Sequence, residues 1–194
     1  MAAGALETFE PSGEALSVPG LLPPPRQGRP YQPIALEWAV IGALLEATPG
    51  VRVREHVGFY PPRPINLAGR PAPFTFGHVA PLSRVGWWRA AENAQFLIVP
   101  YHHDDKSLAF YAPAGEGQVR FVTRLDARCS EQERAVEGSM LTRQGDQVQV
   151  INLCGRVGAE LVVFRAHDGR LACSRQPIDP AAVVPPDPEN GDDL

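Results

Sequence analysis

Apolar and polar positions change rhythm along the chain, and each change marks an element. From Ile34 to Ala47 apolar residues recur at helical spacing: Ile34, Trp38, Ile41 and Leu45 form one stripe, and Leu36, Val40 and Leu44 form another. Only Glu37 and Glu46 are charged there. The spacing therefore predicts a helix apolar on nearly all sides, which must be buried in its own domain or against a partner. Pro33 suits a first helical turn, and Thr48-Pro49-Gly50 stops the run.

Beyond residue 50 the period falls to two. Val51, Val53, Val57 and Phe59 alternate with Arg52, Arg54, His56 and Gly58, the pattern of a half-buried strand. Phe96-Leu97-Ile98-Val99 is a continuous apolar run and reads as a central strand covered on both faces. Leu108–Ala112 and Val119–Leu125 follow around a Pro- and Gly-rich loop. Ser130-x-x-Glu133, closed by Gly138, reads as a short capped helix. Met140–Arg143 and Gln147–Cys154 flank Gln144-Gly145-Asp146. Glu160–Ala166 and Arg170–Arg175 flank His167-Asp168-Gly169, where Asp-Gly signals a tight hairpin. The fold class is therefore α+β: one N-terminal apolar helix packed on a mostly antiparallel, meandering sheet of about seven or eight strands.

Proline distribution sets the expected limits of the domain. The chain holds 21 prolines and 18 glycines in 194 residues, gathered before Ile34, around residues 60–82 and after Gln176. Residues 1–32, ending in Leu21-Leu22-Pro23-Pro24-Pro25-Arg26, are expected to be disordered or polyproline II, because they carry little apolar surface to bury. Residues 33–178 form a single domain, with 60–82 as a Pro-rich strap. Residues 179–194 carry Asp179, Asp187, Glu189, Asp192 and Asp193 without a base and read as a disordered acidic tail. The net charge is −4, so the remainder is close to neutral. That balance excludes a strong field for a charged partner and argues against nucleic acid.

No run of about 18 apolar residues is present to span a membrane. Cys129, Cys154 and Cys173 are odd in number and form no Cys-x-x-Cys pair, which suits free thiols in a reducing cytoplasm.

Chemistry has few footholds. His102-His103-Asp104-Asp105 joins imidazoles and carboxylates in a turn between two strands, the donor types of a divalent metal. Adjacent residues on an extended chain point to opposite faces, so a metal would need ligands from elsewhere, and a solvated polar turn explains the cluster equally. A nucleophile elbow, a phosphate-binding loop and a dinucleotide fingerprint are all missing from the sequence. The strap carries Tyr60, Arg63 and Arg70 among its prolines and can dock on an aromatic groove or cover its own sheet. Trp87-Trp88-Arg89 follows it. Two adjacent tryptophans hardly share one pocket, so they divide between core and rim, or place one ring at an interface. Together Tyr60, Arg63, Arg70, Trp87, Trp88 and Arg89 are the expected binding residues.

The reading that follows is a non-catalytic binding or assembly protein, acting on a protein partner or by self-association, with no cofactor. The alternative is a small metal-dependent hydrolase using His102, His103, Asp104 and Asp105.

Overall fold

The computed structural model describes residues 5–50, 66–67, 85–103, 105–125, 135–141, 146–154, 158–178 and 183–184. Thirteen strands and one helix stand in these segments, and every pairing is antiparallel.

Two four-stranded meanders form the frame. The first runs through β5 (Gly86–Ala91), β6 (Ala94–His103), β7 (Asp105–Gly115) and β8 (Gln118–Leu125). The second runs through β9 (Ala135–Leu141), β10 (Gln147–Cys154), β11 (Gly158–His167) and β12 (Arg170–Ile178). N-terminal segments complete both. β1 (Glu7–Phe9) adds to β12, β2 (Ser12–Ser17) adds to β8, and β3 (Tyr31–Pro33) adds to β5. The result is a five-stranded sheet, β1-β12-β11-β10-β9, and a six-stranded sheet, β2-β8-β7-β6-β5-β3. A two-residue ladder pairs β4 (Asn66–Leu67) with β13 (Val183–Val184).

The mostly antiparallel, one-helix architecture agrees with the patterning, but its arrangement differs in three ways. Two packed sheets replace one meander. Their facing sides share a core in which Trp88, Phe96, Ile98 and Phe110 of the six-stranded sheet meet Val148, Val162, Phe164 and Leu171 of the five-stranded one. Phe110 and Phe164 touch across the gap, with ring centroids 4.5 Å apart. Period-two alternation gives each strand an inner face but not the sheet to which it belongs.

The second difference is the N-terminal segment. Residues 1–32 were expected to be disordered, yet β1, β2 and the start of β3 lie within them. Short polar segments gain order here by adding to sheet edges, where the ladder supplies hydrogen bonds that need no apolar side chains. In the tail expected at 179–194, the backbone of Val183-Val184 likewise pairs with Asn66-Leu67.

The third difference is the helix, α1, which spans Trp38–Glu46 rather than the whole of 34–47. Only Ile41, Leu44 and Leu45 are buried along it, while Trp38 is 52% exposed. The helix lies on the outer face of the six-stranded sheet, in a second core with Trp87, Leu97, Val99, Tyr111 and Val119. β6 is thus covered on both faces, as its continuous apolar run requires, and Phe96 through Val99 are all buried.

Gly138 lies within β9, opposite Ile151, rather than at the end of a helix; Ser130 and Glu133 lie outside the described residues, as does the expected strand at 51–59. Asp168 and Gly169 form the β11–β12 turn with φ of 49° and 75°, the positive values that an Asp-Gly hairpin needs.

Candidate functional site

The outer face of the six-stranded sheet holds two of the residues that the sequence singled out, Trp87 and Arg89. Along β5, alternation sends Trp87 and Arg89 to this face and Trp88 and Ala90 into the core between the sheets. Trp87 is 2% exposed and Trp88 fully buried, so neither offers a ring to solvent. Each face of β5 has its own cover, so two adjacent indoles occupy separate cores.

What covers Trp87 is the Pro-rich stretch after β2, residues 21–28, a docked strap distinct from the strap expected at 60–82. The Trp87 Nε1–H donates to the Leu22 carbonyl at 2.9 Å. Gln95 Nε2, one strand over, donates to the Pro25 carbonyl at 2.9 Å. Arg89 reaches both the Arg26 carbonyl, from Nη1 at 3.0 Å, and the Gly28 carbonyl, from Nη2 at 2.8 Å. Three side chains on adjacent strands thereby hold four carbonyls of an extended segment. Carbonyl capture by indole, amide and guanidinium donors is how grooves recognise polyproline II chains, whose backbone has no internal hydrogen bonds. Arg89 therefore has a role, though an internal one. Gln95 has no distinguishing sequence signal and becomes visible only through its pairing with Arg89 across β5 and β6.

The other half of this layer is α1. The Thr48 hydroxyl donates to the Leu44 carbonyl at 2.7 Å and lies 2.6 Å from the Tyr111 hydroxyl. With its single proton on the carbonyl, Thr48 accepts from Tyr111, which ties the helix end to β7. Burial pushes the Tyr111 phenol well above its usual range. On the solvent side, Leu22 at 67% and Trp38 at 52% are the exposed large apolar side chains among the described residues. One stands on the strap and the other on α1.

Tyr60, Arg63 and Arg70 lie outside the described residues. In the metal candidate, His102 stands in register with Lys106 and His103 with Asp105 across the β6–β7 tip; Asp104 lies outside the described residues. Among the described residues, no group of three His, Cys, Asp or Glu is placed to hold a metal ion.

A cleft of about 310 Å³ opens at one end of the sandwich, between the β1–β2 link, the β5–β6 turn and the start of β12. Phe9, Phe96 and Leu171 line it beside Glu92, Asn93 and Arg170. Arg170 Nε pairs with Glu10 Oε1 at 2.8 Å, with both side chains largely exposed. A volume at the low end for ligand sites and a guanidinium already engaged give it little capacity for specific chemistry.

Cys173 is a buried free thiol on β12. Burial pushes its pKa up to about 11, with Glu7 and Glu160 adding and Arg175 opposing. At neutral pH it is a protonated, slow nucleophile. The folded thiol keeps its proton up to about pH 11 and the unfolded one only up to its ordinary 9.0, so stability is complete below pH 9 and falls between these values. The expected loss is on the order of 1–2 kcal/mol, allowing for screening near a sheet edge. Urea midpoints of wild type and Cys173→Ala should converge across that window; parallel curves would show that the thiol does not titrate there.

These features define an antiparallel two-sheet β protein whose outer face is covered by one short helix and a docked Pro-rich strap. No protein-family model matches the chain, and neither does any curated protein or solved structure. Among the described residues, no helix is long and apolar enough to cross a membrane.

Proposed function

We propose that the chain is a non-catalytic binding or assembly protein that acts through protein–protein contacts, using the layer of strap and α1 on the outer face of the six-stranded sheet. The observation that carries this reading is the placement of Leu22 and Trp38. Among the described residues, both exposed large apolar side chains stand on this one layer rather than scattered over both sheets. A half-exposed indole over a rigid support is the kind of group on which interface energy concentrates. The support is rigid because Leu44, Leu45 and Tyr111 lock the helix from beneath.

The test is a Trp38→Ala, Leu22→Ser double variant. Its urea stability should stay within about 1 kcal/mol of wild type, since neither side chain is buried. Its self-association, or its capture of a partner from native extract, should fall by about tenfold or more, as loss of a hot-spot aromatic implies. Unchanged association would overturn the reading. So would about one tightly held equivalent of Zn, Mn or Fe in purified protein, the result expected of the alternative hydrolase at His102, His103, Asp104 and Asp105.

A further inference from the structure

Residues 5–30 form an arm that touches both sheets yet invests little of itself in either core. Val18 is its only buried residue; every other position from Ala5 to Pro30 is exposed or half-buried. What holds the arm is main-chain bonding, joined by the buried Val18, by Phe9, Leu16 and Leu21 at the core margins and by the Glu10–Arg170 pair. β1 pairs with β12 through Glu7, Thr8 and Phe9, β2 pairs with β8 across a bulge, and the Val18 N–H donates to the Gly117 carbonyl at 2.8 Å. The strap then offers the carbonyls of Leu22, Pro25, Arg26 and Gly28 to Trp87, Gln95 and Arg89.

We propose that this arm is exchanged between two copies of the chain, with the strap of one copy docking in the Trp87–Arg89–Gln95 groove of the other. The inference rests on the self-association reading above and names its partner and mode. Four features of the arm support it. Its ladders, its carbonyl contacts, the packing of Phe9, Leu16, Val18 and Leu21 and the Glu10–Arg170 pair are all reproduced by an identical arm, so exchange preserves each of them. Pro23-Pro24-Pro25 holds the strap extended whether docked or free, which lowers the ordering cost of docking in trans. Detachment exposes the edges of β8 and β12, and a second arm is the one ligand already matched to both registers. Finally, the arm meets the body through a turn at Gly28, whose φ of 112° strains any residue that carries a side chain. The closed chain depends on that turn, and the exchanged form opens it.

The experiment uses full-length protein. A ¹⁵N-labelled and a ¹³C-labelled population are unfolded together, refolded at high concentration and separated by size exclusion with light scattering. The expected product has twice the 21.0 kDa chain mass. In that product, isotope-filtered NOE spectra should connect the Trp87 indole N–H of one label to Leu22 and Pro23 of the other. Gly28→Ala, which strains only the closed turn, should raise dimer affinity by about tenfold. A dimer whose Trp87–Leu22 contacts stay within one label overturns the exchange and leaves the assembly reading standing. Contact of the Trp87 indole with another part of the second chain assigns the groove a different occupant and overturns it too. A Gly28→Ala variant that dimerises no better than wild type counts equally against the exchange. If wild type stays monomeric at every concentration and captures no partner, the assembly reading falls with it.

Discussion

Replacing Trp88 by alanine should cost about 3–5 kcal/mol, the largest loss expected from any single change to β5. Its ring is fully buried between the sheets. It lies 5.8 Å from Phe96 and 6.3 Å, edge-on, from Phe110, which in turn touches Phe164 of the opposite sheet. Truncation therefore opens a cavity at the aromatic seam that joins the two meanders, and the backbone of a central ladder cannot collapse to refill it. Urea denaturation followed by far-UV circular dichroism measures the cost. A loss below about 1 kcal/mol would mean that the sheets do not pack through this seam. Trp87→Phe is the useful contrast. It keeps an aromatic ring in the outer core but removes the donor to the Leu22 carbonyl together with part of the indole's volume, so about 1–3 kcal/mol is at stake.

Leu45→Ala should cost about 2–5 kcal/mol, while Trp38→Ala on the same helix should cost less than about 1 kcal/mol. Leu45 is fully buried against the outer face of the six-stranded sheet, together with Ile41 and Leu44. Trp38, in the first turn, has half its surface in solvent. The pair separates the helix face that stabilises from the face proposed to bind. Thermal melts of both variants, with association measured on the same samples, check it. Should Trp38→Ala prove the more destabilising, the helix would be packed through its other side and the proposed surface would not exist.

The candidate site was only partly legible. The run Leu21–Arg26 was readable as polyproline II, and Trp87-Trp88-Arg89 as unusual, but nothing along the chain says that these two segments meet. They are more than sixty residues apart, and their meeting depends on β2 and β3 pairing at opposite edges of one sheet. That pairing forces the connection between them across the outer face, onto Trp87, Arg89 and Gln95. The helical stripe misplaced Trp38 for a similar reason. Spacing puts Trp38 in line with Ile41 and Leu45, but the helix begins at Trp38, and that residue stays half exposed while Ile41, Leu44 and Leu45 are buried.

By itself, the sequence determined the elements that local chemistry controls. The continuous run at Phe96 marked β6 and required cover on both faces, apolar runs between turn residues marked β7, β8, β10, β11 and β12, and Asp168-Gly169 supplied the positive φ of a hairpin. These are short-range matters of side-chain direction and backbone preference. Tertiary structure alone decided that the strands divide into two sheets, that a polar N-terminal arm completes both, and that adjacent tryptophans serve different cores. Edge pairing is made by backbone groups that every residue carries, so no side-chain pattern announces it. Which apolar face meets which is likewise settled only when both sheets exist to exclude water from between them.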